Sequence, residues 1–154
     1  MLLDTSVYLD VLQGRTPEAV DNLLTYRLCH HSAVCLAELS HVFGRLDPVH
    51  PETKSVLKAV AGTIEDIPAH RLHAPDATTW GRAGMLAGLL FRLSHLPKGE
   101  GHERRFLNDA LIFHQAGLLG AAVLTGNVGD FDRLNQLVRS VRVIFYRAAP
   151  GSRP

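Results

Sequence analysis

Ala121-Ala122-Val123-Leu124-Thr125-Gly126-Asn127-Val128-Gly129-Asp130-Phe131 is the stretch whose reading decides the fold. Its first four residues are small or apolar and fit a buried strand. Thr125 to Asp130 is polar and glycine-containing, which is turn chemistry. Leu134, Leu137 and Val138 then recur at helical spacing. Strand, polar turn and helix in that order form the repeating unit of an α/β sheet. Such sheets place their sites outside the carboxyl ends of the strands. By itself the stretch needs no function: Asn127 and Gly129 would make the turn and Asp130 would cap the helix.

The same unit recurs along the chain. Leu2-Leu3 is a short apolar run ended by Asp4, and Val7, Tyr8, Val11 and Leu12 follow at helical spacing up to Gly14. Pro17 opens an amphipathic helix through Val20, Leu23, Leu24 and Leu28. His31 to Leu36 fits a second buried strand, and Leu39, Val42, Phe43 and Leu46 give a helix with Glu38 in its first turn. Pro51 to Ala61 reads as a further helix, and Thr63 to Ile67 as a short strand ended by Pro68. Pro75-Asp76 opens a long helix to about His95, with Ala83, Gly84, Ala87 and Gly88 allowing close approach of a neighbour. Pro97 to Arg105 is a loop of mixed charge, and Asn108-Asp109 starts a helix that Gly120 closes. Arg142 to Phe145 is the last β-prone run. The pattern predicts an α/β fold of three layers, α/β/α, around a central parallel sheet. One domain is expected over residues 1–147, followed by a disordered tail at 148–154.

The bulk properties narrow the class. A chain of 154 residues with 46% hydrophobic and 20% charged residues can bury a core without staples. No apolar run is long enough to span a membrane, and Met1-Leu2-Leu3-Asp4 lacks the basic start of a signal peptide. Cys29 and Cys35 are too few for a disulfide framework and are expected as reduced thiols in or beside a buried strand, so the chain reads as cytoplasmic. A formal net charge of +1 advertises no broad grip on nucleic acid. Any phosphate binding must then come from a local patch or a metal.

Four acids share one kind of place. Asp4 follows the first strand and Glu38 the second. Asp109 opens the helix before the later strand, and Asp130 lies in the turn after it. Each has a local reading as a helix cap or first-turn acid. Together they fall where a parallel sheet converges its strand ends. Carboxylates packed together raise one another's pKa unless a cation sits between them. Hard oxygen donors without Cys or His suit Mg²⁺ or Mn²⁺, and such ions serve phosphodiester hydrolysis.

These residues resemble the PIN-domain nucleases. Leu2-Leu3-Asp4-Thr5-Ser6 is similar to the family's opening, and Ala37-Glu38-Leu39 to its second motif. Asp109-Ala110-Leu111-Ile112 resembles its central Asp motif, and Thr125-Gly126-Asn127-Val128-Gly129-Asp130-Phe131 its Thr-x-Asn-x-x-Asp-Phe ending. The resemblance covers nearly the whole chain in order. It implies that Asp4, Glu38, Asp109 and Asp130 hold one or two divalent ions, that Thr125 and Asn127 orient carboxylates or water, and that Ser6 supports Asp4. Size and layout look most like the toxin of VapBC-type toxin–antitoxin pairs. Such toxins are small Mg²⁺-dependent endoribonucleases, typically homodimers, silenced by an antitoxin that covers the site. Four departures bear on substrate grip: a longer loop from Pro97 to Arg105, His114 in place of a small residue, Gly126 and Gly129 at positions often basic or polar, and Leu107 where some members carry another acid.

The expectation is a Mg²⁺- or Mn²⁺-dependent endoribonuclease, with Lys98, Arg104 and Arg105 as candidate RNA contacts. The alternative is a catalytically silent PIN-like module that binds a partner protein or RNA. A receiver-like or phosphatase-like phosphoryl-transfer domain would need a Lys late in the chain, and the last one is Lys98. Zinc held by Cys29, His30, His31 and Cys35 matches no common spacing. His70 and His73 would share a helical face but lack an acidic partner motif. His114 reads as a packed helix residue.

Overall fold

The computed structural model describes residues 1–97 and 101–150. Strand β1, Leu2–Leu3, is followed by helices α1, Thr5–Leu12, and α2, Glu18–Tyr26. Strand β2, His31–Ser32, leads into α3, Ala33–Arg45, and α4, Thr53–Glu65. A single 3-10 turn, Ala69–Arg71, precedes β3, Leu72–His73. The long helices α5, Ala77–Ser94, and α6, His102–Leu118, come next, then β4, Val123–Thr125, α7, Val128–Leu137, and β5, Val143–Phe145.

All strand pairings are parallel, as the alternation of strands and helices predicts. β1 pairs with β4 in the register Leu2↔Val123 and Leu3↔Leu124, and β4 pairs with β5 through Val123↔Val143. β2 pairs with β3 through His31↔Leu72. A parallel bridge between Leu2 and His30 joins the two groups, with the Leu3 amide donating to the His30 carbonyl at 3.1 Å. The resulting order is β3-β2-β1-β4-β5. Leu2, Val123 and Leu124 are fully buried because both faces of the sheet are covered, and Phe106, Phe113 and Phe131 fill the space between sheet and helices. The Asp76 carboxylate caps α5 by accepting from the Thr79 amide at 2.7 Å. Ala83 and Ala87 are buried in α5, and Phe106, Ala110 and Phe113 in the α6 packed against it.

Three boundaries differ from the sequence reading. Val34, Cys35 and Leu36 belong to α3, not to a strand. Ser32 ends the strand by capping the helix, its Oγ accepting from the Val34 amide at 3.1 Å. A short apolar run reads equally as strand or buried helix. Glu38 therefore sits in the second turn of α3, not the first. Thr63 to Glu65 closes α4, with the Thr63 hydroxyl donating to the Ala59 carbonyl at 3.0 Å, and the true strand is Leu72–His73. Asn108-Asp109 lies well inside α6, which begins at His102, so Arg104 and Arg105 are helical rather than in a loop. Lys98 falls outside the described residues. The Ala149 amide donates to the Arg15 carbonyl at 2.8 Å, and residues 151–154 also lie outside the described set.

Candidate metal centre

Parallel strands end on the same edge, so the residues that follow β1 and β4 meet there. Asp4 leaves β1 and caps α1, accepting from the Ser6 amide at 3.3 Å and the Ser6 hydroxyl at 2.6 Å. Thr125 ends β4, and its hydroxyl donates to the same Asp4 oxygen, Oδ2, at 2.7 Å. The Gly126 amide donates to Ser6 Oγ at 2.9 Å, which fixes the turn against α1. Asn127 caps α7: its Oδ1 accepts from the Asp130 amide at 3.4 Å. Its Nδ2 donates to Asp109 Oδ2 and to Asp130 Oδ2, each at 3.2 Å. Glu38 reaches in from α3 and accepts from Asn108 Nδ2 at 2.6 Å and from the Thr5 hydroxyl.

The electrostatics follow from this crowding. Asp4, Asp109 and Asp130 are all buried, and Glu38 is half-buried. Burial holds the Asp4 carboxyl above its ordinary range despite the Ser6 and Thr125 hydrogen bonds. The Asp109 carboxyl lies well above that range, first through burial and then through the charges of Asp4, Asp130 and Glu38, with Arg105 partly offsetting them. Arg105 Nε lies 3.1 Å from Asp130 Oδ2, and Arg133 Nη1 lies 3.3 Å from Asp130 Oδ1. Both arginines are half-exposed, so these pairs contribute little to stability.

No protein-family model and no curated protein matches the chain. Solved structures do. FitAcB from Neisseria gonorrhoeae is similar at 21% identity and a TM-score of 0.63, covering 93% of this chain and 95% of the matched one. The DNA-bound VapBC from Salmonella typhimurium is similar at 24% identity and a TM-score of 0.60, covering 94% and 96%. VapBC2 from Rickettsia felis, bound to a DNA fragment from its promoter, is similar at 17% identity and a TM-score of 0.60, covering 94% and 97%. The chain has the PIN-domain fold.

Within this PIN fold, Asp4, Ser6, Asp109, Thr125, Asn127 and Asp130 join one hydrogen-bonded network. Glu38 acts on it through its charge while held by Thr5 and Asn108, Arg105 joins at Asp130, Arg104 stays outside it, and Lys98 lies outside the described residues. Among the described residues no three His, Cys, Asp or Glu side chains form a group that could hold a metal ion as they stand. Protein donors bind the carboxylates instead: Thr5 and Asn108 on Glu38, Asn127 on Asp109 and Asp130, Arg105 and Arg133 on Asp130. The donor chemistry still fits a hard divalent ion, because the oxygens are carboxylate throughout and the Asp109 carboxyl is pushed up first by burial and then by the neighbouring charges of Asp4, Asp130 and Glu38.

Several members of the network carry no local signal in the sequence. Thr5 and Asn108 act through Glu38, and nothing local distinguishes them. Asp10 is buried on α1, accepting from Arg15 Nη2 and from the Tyr146 hydroxyl, each at 2.8 Å. Tyr146 packs against the turn so closely that a Cβ at Gly126 would lie 3.2 Å from its ring. The histidines set aside earlier pair elsewhere. His30 Nδ1 lies 3.0 Å from His73 Nε2, and His31 Nδ1 lies 2.7 Å from the Tyr8 hydroxyl. His70 is in the 3-10 turn and His73 in β3, so they share no helical face. Cys29 and Cys35 are buried free thiols, Cys35 on α3.

Proposed function

We propose that this protein is a metal-dependent endoribonuclease, a single PIN-type domain over residues 1–147 acting as the toxin of a toxin–antitoxin pair. The convergence of Asp4, Glu38, Asp109 and Asp130 at one sheet edge, with Asp109 held far above its ordinary proton affinity, carries the reading. These four carboxylates would hold Mg²⁺ or Mn²⁺. A bound ion of this kind supplies an activated water and neutralises charge on a phosphodiester undergoing hydrolysis. Ser6 and Thr125 fix which oxygen of Asp4 faces the site. Asn127 spaces Asp109 from Asp130, and Thr5 and Asn108 hold Glu38. Arg104 and Arg105 would draw the phosphate backbone to the rim, and Lys98 is a further candidate RNA contact from the sequence.

Two further matched structures are described as a toxin–antitoxin complex from Klebsiella pneumoniae and as a member of the VapBC family of toxin–antitoxin systems from Mycobacterium tuberculosis, which supports an antitoxin-like protein partner. A homodimer and a cytoplasmic location are what the sequence resemblance to such toxins implies. Among the described residues no helix is long and apolar enough to cross a membrane. The second reading, a silent PIN-like module that binds a partner protein or RNA, is favoured by one observation: the carboxylates are already bound by protein donors and form no ready metal group.

Incubating purified protein with a mixed RNA pool, in Mn²⁺, in Mg²⁺ and in chelator, separates the two. Metal-dependent cutting that disappears in Asp4→Asn, with unfolding behaviour retained, supports the nuclease. Full activity in that variant, or no cutting under any metal by folded, partner-free protein, overturns it.

A further inference from the structure

Two clefts flank the four acids. One, about 260 Å³, opens between α3 and α6 and is lined by Glu38, His41, Arg45, Arg104, Arg105 and Asn108. The other, about 280 Å³, is lined by Ser6, Asp10, Arg15 and Asn127. They differ in free charge. In the second cleft the Arg15 guanidinium is neutralised by Asp10 at 2.8 Å. In the first, Arg45 and Arg104 enter no ion pair among the described residues, and Arg105 alone is engaged, on Asp130. The one acid in that wall, Glu38, has its two oxygens bound by Asn108 and Thr5. Arg45 and Arg104 thus bring two guanidiniums without an ion pair to one concavity, which favours an anion between them. Arginine forks match phosphate oxygens in geometry as well as charge. Glu38 and Arg105 belong both to this cleft and to the acid network, so an anion here lies next to the acids.

We propose that the α3–α6 cleft is a backbone subsite for the RNA, with Arg45 and Arg104 binding the phosphate adjacent to the scissile one. The proposal rests on the nuclease reading and deepens it, because it fixes the side on which the strand leaves the acids. Arg45 on α3 and His41 beside it were not singled out in the sequence. Contacts to phosphate carry no sequence information, so the grip supplied by Arg45 and Arg104 is independent of sequence.

The test uses Arg45→Gln, Arg104→Gln and the double variant, with Arg92→Gln at the exposed end of α5 as control. Binding of a labelled single-stranded RNA of about a dozen nucleotides is followed by fluorescence anisotropy across a salt series, in the Asp4→Asn background with Mg²⁺. Losing the grip on that one phosphate should flatten the slope of log K against log salt by about 0.7 in the double variant, with each single variant falling between it and the parent. In the active background KM should rise about tenfold or more in the double variant, with kcat within about twofold, since ground-state backbone binding is what is removed. Arg92→Gln should match the parent. A double variant with the parental slope, beside a wild type that still cuts RNA with metal, overturns the subsite and leaves the nuclease standing. A wild type that neither binds nor cuts RNA overturns both. An unchanged RNA slope with lost binding of poly-glutamate assigns the cleft to an acidic protein instead.

Discussion

Asn127→Asp should turn the amide bridge between Asp109 and Asp130 into a carboxylate facing both. The Asn127 Nδ2 atom lies 3.2 Å from an oxygen of each, so the substitution replaces two attractive contacts with two repulsive ones. At an effective dielectric of about 20, each new pair at that distance is worth about 5 kcal/mol. The folded protein escapes most of this by keeping a proton on the cluster. At pH 7 that costs about 4 kcal/mol, three pH units above the ordinary Asp value at 1.36 kcal/mol each, which bounds the loss. Asp caps a helix as well as Asn does, so α7 itself loses little. The expected destabilisation is about 3–4 kcal/mol at pH 7 and about 1.5 kcal/mol at pH 5. The sign follows from linkage. The added acid has a folded pKa raised above its unfolded value, so its cost is absent below the unfolded value and grows as pH rises towards the folded one. For a chain of this size the pH 7 loss lowers Tm by about 6–16 °C. Asn127→Ala, which removes the cap and the bridge without adding charge, should cost about 1–2 kcal/mol. Thermal unfolding by circular dichroism in chelator, at pH 5, 6 and 7, reads the difference. The Asp variant should melt well below the Ala variant at pH 7 and approach it at pH 5. Equal melting at pH 7 would show that Asp109 and Asp130 do not converge on this residue.

Asp109→Asn should raise Tm in chelator at neutral pH, because it removes a group whose charged form the fold disfavours, and the gain should vanish as pH falls below the ordinary carboxylate range. A Tm unchanged or lowered at pH 7 contradicts the crowding, while RNA cleavage should be lost in the same variant. Gly126→Ala places a Cβ 3.2 Å from the Tyr146 ring and 3.4 Å from Asp10 Oδ2, both held in place by their mutual hydrogen bond. Overpacking outweighs the entropy gained in the unfolded chain, for a net loss of about 1 kcal/mol and a Tm lower by about 2–4 °C. Denaturant unfolding with a stability equal to or above wild type would refute the tight approach.

Elements with strong local signals were legible before the structure. Leu2-Leu3 ended by Asp4, the Asp76 cap with its long helix, and Val123–Thr125 followed by Asn127 all combine a hydrophobic pattern with a recognisable stop or start. The errors fell where local rules give two answers. Val34 and Cys35 suit a strand or a buried helix equally, and the Ser32 cap decided for helix. Arg104 and Arg105 looked like loop residues because charge hides helical periodicity, yet they form the first turns of α6. Asp130 read as a helix cap, whereas Asn127 does the capping. That leaves the Asp130 side chain to meet Asn127, Arg105 and Arg133.

The sequence by itself determined the parallel α/β architecture and the order in which four acids occur along it, because hydrophobic periodicity and turn chemistry are local properties of the chain. Only the tertiary structure decided which oxygens meet. Thr125 reaches Asp4 across 121 positions, and Asn108 reaches Glu38 across 70. It also decided that Asp10 and Tyr146 brace the turn and that Arg45 and Arg104 line one cleft without an ion pair among the described residues. Distance, burial and pairing arise from how strands are ordered and helices packed, and no window of sequence contains them.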